Sequence, residues 1–343
     1  MNILFCSVPF SPSVGGIETV STILREQFAS AGHRVVLVTR TPVAGGAVED
    51  AGIVRRPNPH RLFGLVRSAD VVFHNNISLR FAWPLIFVRR PWVIAHHIWI
   101  GRSGLLPRIK RMVLRYASHI AVSRAIADDL PQPCAVVPNP YDDKRFNTAC
   151  GVVRARELLF VGRLVSDKGV SLLLEALALL RQRGRTIHLT IVGEGPEELA
   201  LRWQAVALEI DGQVEFAGRR VGAALVEALN LHQVLVVPSV WQEPFGVVAL
   251  EAMACGCVPL VARSGGLPEA VGAAGLVVER GSVAELAQGI SELVGNERVL
   301  QSYRAQAALQ LERHSRDRIT RDYLRIIDLA YRTHAAQRTA RAV

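Results

Sequence analysis

The chain has 343 residues, half of them hydrophobic, so it is long enough to bury two cores, and intrinsic disorder is excluded. Its formal net charge of +10 is uneven, because residues 1–150 hold 18 Lys and Arg against 9 Asp and Glu, whereas residues 151–310 hold 14 against 17. A basic first half suits an anionic membrane or nucleic acid, but no helix-turn-helix, zinc-finger or RRM pattern occurs, so we expect no nucleic-acid partner.

The cysteines and the chain start predict a cytoplasmic protein. The five cysteines are an odd number without CxxC spacing, which favours free thiols in a reducing compartment. Residues 1–8 lack a basic n-region and predict a buried first strand. The most apolar window, residues 81–100, is interrupted by arginines and prolines, so we expect no membrane-spanning helix.

Short apolar strands alternate with amphipathic helical stretches along both halves of the chain. The predicted strands are 3–7, 34–39, 71–74, 92–96, 119–122 and 135–137, then 158–161, 188–192, 214–216, 234–237, 258–261 and 276–278. This alternation predicts parallel sheets covered by helices on both faces. The polar segment 141–157 lacks periodicity and is the predicted linker. The expected α/β fold therefore has two Rossmann-like domains facing across a cleft.

Each half has a glycine-containing loop after its first strand. In the first half, Gly15 and Gly16 precede Glu18, and their small size lets the backbone approach a ligand, although two glycines can also mark an ordinary turn. In the second half, Arg163 and Lys168 place two cations at the carboxyl end of a strand, beside a helix N-terminus. These cations would neutralise a diphosphate; solvated surface cations are the alternative.

Residues 105–116 have the pattern of a basic amphipathic helix. The apolar residues that recur at helical spacing are Leu105, Ile109, Met112, Val113 and Tyr116. The residues of the basic face fall largely between them and are Arg108, Lys110, Arg111 and Arg115. The pattern is typical of a helix that lies on an anionic membrane. It is also typical of an ordinary core-facing helix with a solvated basic face.

Residues 241–256 contain a pair of glutamates beside a predicted helix N-terminus. A strand leads into a loop with Pro244 and Gly246, and the helix is expected to begin near Gly246. The first N–H groups of a helix have no intrahelical partner and suit phosphate oxygens. Glu251, in the second turn, would reach ribose hydroxyls, while Glu243 stays on the loop. Alternatively, Glu243 caps the helix and Glu251 is solvated.

Short motifs follow one another in a fixed order along the chain: Gly15-Gly16-x-Glu18, Phe160-Val-Gly-Arg163 with Lys168-Gly169, Val192-Gly-Glu-Gly-Pro196, Pro238-Ser239, Glu243-Pro-Phe-Gly246 with Glu251, Ala252-Met-Ala-Cys-Gly256 and Ser264-Gly-Gly-Leu-Pro-Glu269. This ordered set resembles the GT4 family (glycosyl transferases group 1), whose members are retaining enzymes that use nucleotide sugars. The resemblance covers nearly the whole chain and implies the GT-B fold. Residues 1–150 would bind the acceptor and 151–310 the nucleotide sugar, while the C-terminal helical segment 311–343 would cross back to the N-terminal domain.

The resemblance also implies roles for single residues. Arg163 and Lys168 match the basic pair at the donor diphosphate, and Glu251 matches the acid that holds the ribose. The implied catalytic residues are Glu243, near the transferred sugar, and His97, which fits the family histidine better than His96 does. Further donor-binding positions are Gly16, Gly193, Phe245, Gly246 and Val247. Positions on the acceptor side or in the cleft are Gly15, Glu18, Ser123 and Asn139.

In this family a front-face reaction, in which the leaving phosphate assists deprotonation of the acceptor, is the usual alternative to a covalent nucleophile. We therefore assign no nucleophile.

The chain departs from the family at Ile98 and at Pro138-Asn-Pro140, both on the acceptor side or hinge. No Asp-x-Asp and no metal-ligand spacing occurs, so we expect neither a metal nor another cofactor.

The expected function is retaining transfer of a hexose-type sugar to an envelope-glycan or lipid-linked saccharide acceptor, as in polysaccharide or lipopolysaccharide biosynthesis. The protein would be cytoplasmic, with peripheral contact to the inner face of the cell membrane through residues 105–116. Two alternatives stay open. A nucleotide-sugar epimerase shares the GT-B fold and would turn over its substrate without an acceptor. A non-catalytic sugar-nucleotide-binding scaffold would bind the nucleotide sugar without turnover.

Overall fold

A computed structural model describes residues 1–13, 15–43, 50 and 52–342 of the chain. Residue 14, in the first predicted glycine loop, and residue 343 of the predicted tail lie outside the described residues. The chain divides into two compact units. Unit 1 consists of residues 1–140 and 316–343, and unit 2 of residues 141–315.

Unit 1 is built on a seven-stranded parallel sheet. Its strands are β1 (Asn2–Ser7), β2 (Arg34–Thr39), β3 (Ile53–Arg55), β4 (Val71–Asn75), β5 (Trp92–His96), β6 (Ser118–Ala121) and β7 (Ala135–Val136). Their order in the sheet is β3-β2-β1-β4-β5-β6-β7. Every residue of β4 and β5 is buried, as expected for central strands with helices on both faces.

Five helices of unit 1 connect these strands: α1 (Gly16–Ser30), α2 (Pro59–Ser68), α3 (Leu79–Ala82), α4 (Leu105–Val113) and α5 (Arg124–Asp129). Helices α2 and α5 begin with a side-chain cap. The side chain of Asn58 accepts a hydrogen bond from the Arg61 N–H at 2.8 Å, and Pro59 occupies the first turn of α2.

Unit 2 contains a six-stranded parallel sheet. Its strands are β8 (Arg156–Val161), β9 (Leu189–Val192), β10 (Val214–Phe216), β11 (His232–Val237), β12 (Val258–Ala262) and β13 (Leu276–Val278). Their order is β10-β9-β8-β11-β12-β13, so the connections run to opposite sides of the sheet from β8 and β11. Ligands of such sheets bind at the carboxyl ends of the strands where this reversal occurs.

The helices of unit 2 are α6 (Val170–Gln182), α7 (Glu198–Ala207), α8 (Ala223–Leu231), α9 (Val247–Ala254), α10 (Leu267–Val271), α11 (Val283–Leu293) and α12 (Glu297–Arg313). The helix expected to begin near Gly246 is α9, and Glu251 lies in its second turn. The loops after β8, β9, β11 and β12 meet at one edge of the sheet because the strands are parallel.

The last helix, α13 (Arg316–Ala342), belongs to unit 1. Ile319, Tyr323 and Ile327 recur every four residues and are buried, and the Tyr323 ring lies edge-on to Phe73 with 5.9 Å between centroids. The prediction that a C-terminal helix returns to the N-terminal unit is therefore confirmed. Tyr331, one turn after Ile327, is 37% exposed.

Candidate functional site

Glu243 is the centre of a polar cluster at the carboxyl edge of the unit 2 sheet. Its carboxylate forms an ion pair with the Lys168 ammonium and accepts a hydrogen bond from the Ser239 hydroxyl at 2.8 Å. Ser239 is buried, and the Glu243 side chain is only 12% exposed. Two loops, after β8 and β11, thus fix this carboxylate, which lies where the strand order reverses.

The loop after β12 holds the backbone of the Glu243 segment. The Gly266 N–H donates to the Glu243 carbonyl at 2.8 Å, and the Ser264 hydroxyl donates to the Trp241 carbonyl at 2.5 Å. A Cβ added at Gly265 would lie 2.0 Å from the Glu243 carbonyl oxygen, so only glycine fits there. The Ser-Gly-Gly motif therefore positions the acid, a role that its sequence alone did not suggest.

The loops after β8 and β9 contact each other through glycine. A Cβ at Gly193, where φ is 157°, would lie 1.8 Å from the Gly162 carbonyl oxygen. The Leu164 N–H also donates to the Glu194 carbonyl at 3.0 Å. Gly193, predicted to contact the donor, thus supports the loop that carries Arg163, whose side chain is exposed.

The start of α9 has the geometry expected of an anion site. Gly246 caps the helix with φ 110°, and a Cβ there would lie 2.4 Å from Leu267 Cδ2. Phe245 is buried, with its ring 5.4 Å from the His314 ring. The first backbone N–H groups of α9, beginning at Val247, have no intrahelical acceptor and carry the positive end of the helix dipole.

The carboxyl group of Glu251 is not an ordinary solvated one. Burial raises its pKa to about 7; the nearby Asp142 also raises this pKa, and Arg145 opposes them. Both neighbours come from the segment that the sequence predicted as a linker. Their proximity to Glu251 was missed because residues that lack periodicity give no signal of where they fold.

His97 and His96, at the end of β5, occupy different environments. The backbone N–H of His97 donates to Asn76 Oδ1 at 2.7 Å, and burial lowers the pKa of its ring to about 4, with the Asn139 side chain acting in the opposite direction. His96 Nε2 lies 3.1 Å from His119 Nδ1 within the core. His96 is thus the hydrogen-bonded core histidine, and His97 is neutral at neutral pH.

The other predicted positions of unit 1 lie at helix starts. Gly15 precedes α1, and a Cβ there would lie 2.6 Å from the Glu18 carboxylate. Gly16 is the exposed first residue of that helix. The buried Ser123 hydroxyl accepts a hydrogen bond from the Ile126 N–H at 3.3 Å, so Ser123 caps α5.

Comparison with known proteins identifies one family. Residues 153–310 match the Glycosyl transferases group 1 family. The glycogen synthase of Mycobacterium tuberculosis is 35% identical over 244 residues, covering 66% of this chain and 56% of that protein. The D-inositol 3-phosphate glycosyltransferase of Pseudarthrobacter chlorophenolicus is 35% identical over 220 residues, covering 60% of this chain and 50% of that protein. The chain spans about half the length of the curated relatives it matches.

Solved structures share the fold over nearly the whole chain. Anabaena Alr3699/HepE in complex with UDP-glucose has a TM-score of 0.80 at 21% identity, covering 96% of this chain and 99% of that chain. WaaG, a glycosyltransferase involved in lipopolysaccharide biosynthesis, has a TM-score of 0.70 at 18% identity, covering 95% of this chain and 99% of that chain. At these identities the likeness shows the fold alone, and the fold class expected from the sequence is confirmed.

Proposed function

Since residues 153–310 match the glycosyl transferases group 1 family, we propose that this chain is a retaining hexosyltransferase. It takes a hexose-type sugar from a nucleotide sugar and transfers it to an envelope-glycan or lipid-linked saccharide acceptor. The contact of Lys168 and Ser239 with Glu243 carries this proposal, because it joins a cation suited to phosphate to an acid suited to a sugar.

The proposed mechanism is electrostatic. The leaving diphosphate is neutralised by Arg163, Lys168 and the start of α9. These groups supply the positive charge that a metal ion would otherwise supply, so the proposed mechanism needs no metal. An ammonium group has three donors, so Lys168 can hold Glu243 and a phosphate oxygen together. The Glu243 carboxylate then stabilises positive charge developing at the anomeric carbon. His97, with a neutral ring, contributes hydrogen bonds to a sugar.

Glu251 is proposed to hold the ribose. An ionised carboxylate accepts hydrogen bonds from two hydroxyls, so nucleotide binding favours the ionised form. Because the pKa of Glu251 is raised to about 7 in the protein without nucleotide, nucleotide binding strengthens as pH rises through 7. For folding the sign is opposite: protonated Glu251 stabilises unit 2 fully below its ordinary pKa of 4.5, and this contribution is lost as pH rises through 7.

A thermal-shift panel of UDP-glucose, GDP-mannose and ADP-glucose tests the donor class. At a concentration of about 100 times Kd, the correct nucleotide sugar is expected to raise Tm by about 5 °C or more. The shift is larger at pH 8 than at pH 6 for the wild type, and Glu251→Gln removes this difference. The diphosphate of a nucleotide sugar has no proton to lose in this range.

The double variant Arg163→Gln/Lys168→Gln is expected to abolish the shift. The control variant Arg156→Gln/Arg280→Gln loses the same amount of charge elsewhere in unit 2, and we expect it to keep the thermal shift. If no nucleotide sugar stabilises the wild type, the proposed donor class is wrong. Subsequent assays separate the alternatives, since an epimerase consumes the donor without an acceptor, and a scaffold consumes none.

We also propose that α4 contacts an anionic membrane at the cytoplasmic face. None of its residues is buried, and Leu105, Leu106 and Met112 are 73%, 65% and 56% exposed. Arg111, expected on the basic face, instead donates to Asp129 at 2.7 Å and to the Ile100 carbonyl at 2.9 Å. The inward position of Arg111 corrects the sequence-based assignment. No helix in the described part of the chain is long and apolar enough to span a bilayer.

Flotation with anionic vesicles tests this contact. Leu106→Ser/Met112→Ser is expected to reduce binding about tenfold or more, because two exposed apolar side chains no longer enter the lipid. Leu199→Ser/Val206→Ser is the matched control, since these unit 2 residues are 67% and 52% exposed. Equal binding by the two double variants would contradict a role for α4.

A further inference from the structure

A cavity of about 590 Å³ lies in unit 1, at the edge of the sheet where β4 and β5 begin. It is lined by the end of α2, the turn before β5 and the last turns of α13. The lining residues that matter here are Phe63, Arg67, Phe87, Arg89, Arg90 and Arg338. This volume is within the range of small-ligand sites.

The lining is strongly basic. Within the described ranges, none of its four arginines forms an ion pair with a carboxylate, and no acidic residue lines the cavity. Arg90 donates to the Arg67 carbonyl, and its Nε is buried without a hydrogen-bond partner among the described residues. Unit 1 as a whole carries 23 Lys and Arg against 10 Asp and Glu. Guanidinium groups held close together without acids are suited to a phosphate.

An aromatic cluster adjoins these arginines. The Phe63 ring stacks on Trp83 with 6.2 Å between centroids, and the Phe87 ring lies edge-on to Trp83 at 6.3 Å. Phe87 and its neighbour Ile86 are 71% and 78% exposed. Exposed apolar side chains beside unpaired cations match a ligand that has both an apolar part and an anionic group.

The cavity is separate from the candidate active-site histidine. Its residues 87–90 precede β5, whereas His97 follows the same strand. Five residues of extended strand span about 16 Å. A ligand in the cavity therefore does not occupy the position of His97.

We propose that this cavity binds the phosphate group of a phosphate-bearing amphiphile. The four arginines hold the phosphate, and Phe63 and Phe87 contact the apolar part. The same chemistry is offered by a phospholipid headgroup in a bilayer and by a soluble phosphate compound.

The test uses the full chain with Arg163→Gln/Lys168→Gln and Leu106→Ser/Met112→Ser as background, so that neither the proposed donor site nor α4 binds the probes. Inorganic pyrophosphate is titrated calorimetrically, and vesicle flotation compares phosphatidic acid with phosphatidylcholine. Arg67→Gln/Arg338→Gln is expected to weaken pyrophosphate binding about tenfold or more, since each charge-assisted contact contributes strongly. Arg61→Gln/Arg298→Gln, with the same charge loss at exposed positions, is the matched control.

Loss of both pyrophosphate and phosphatidic acid binding in the cavity variant, but not in the control, supports the proposal with a lipid headgroup as the source. Loss of pyrophosphate binding alone supports it with a soluble phosphate. Equal binding of pyrophosphate by the cavity variant and the control variant overturns it. Melting temperatures of both variants, measured without ligand, exclude unfolding as the cause.

Discussion

Glu243→Gln is expected to lower kcat on the order of 100-fold while nucleotide-sugar affinity changes little, because a preorganised charge near the reacting carbon acts mainly in the transition state. The substitution keeps the size of the side chain and an oxygen that can accept from Ser239. It removes the negative charge that Lys168 neutralises and that would face the anomeric carbon. Initial rates at saturating donor, with Kd from thermal shift, measure the two effects separately.

Glu215→Gln is the control for this substitution. Glu215 forms an ion pair with Arg156 in the same unit, and about half of each side chain is exposed, so its loss should leave kcat unchanged. If Glu243→Gln retains wild-type kcat, the carboxylate only positions Lys168. If the affinity for the nucleotide sugar falls as much as kcat, the charge of Glu243 acts in the ground state as well.

Gly193→Ala is expected to lower the melting temperature by about 10 °C and to abolish nucleotide-sugar stabilisation. The added methyl would lie 1.8 Å from the Gly162 carbonyl oxygen, and the residue has a φ of 157° that side chains disfavour. Overpacking and backbone strain together cost roughly 3 kcal/mol or more. For a unit of this size, each kcal/mol lowers the melting temperature by about 2–4 °C. Relief of the overlap would displace the loop that carries Arg163.

Gly212→Ala provides the comparison in the same unit. A Cβ at Gly212 meets no atom within 4 Å, so its melting temperature should stay close to that of the wild type. Calorimetry of both variants, with and without nucleotide sugar, measures the difference. A Gly193→Ala protein with unchanged stability and binding would show that the loops after β8 and β9 separate at little energetic cost.

The sequence predicted the two sheets well because apolar strands and amphipathic helices are local patterns. It did not predict which loops meet. Lys168 and Glu243 received separate roles, and their ion pair follows from β8 lying beside β11, an order that periodicity does not reveal. Likewise, Asp142 and Arg145 lie in a segment without periodicity, and only the folded unit brings them near Glu251.

The helix at 105–116 shows a different limit. Helical spacing correctly predicted α4, but two orientations fitted the same pattern. The structure turns Arg111 inward, where it binds Asp129, and leaves Leu105 and Met112 exposed. The orientation depends on a partner in α5 that the local sequence cannot identify.

The membership of α13 in unit 1 has a consequence for biosynthesis. Unit 2 is one continuous segment, so its core can close as soon as residue 315 has left the ribosome, whereas unit 1 needs both ends of the chain. Until Tyr323 reaches Phe73, the nascent sheet exposes the apolar face that α13 later covers. A chain whose synthesis stops before α13 therefore has one folded unit and one incomplete unit with an exposed apolar face, which is a natural substrate for chaperones.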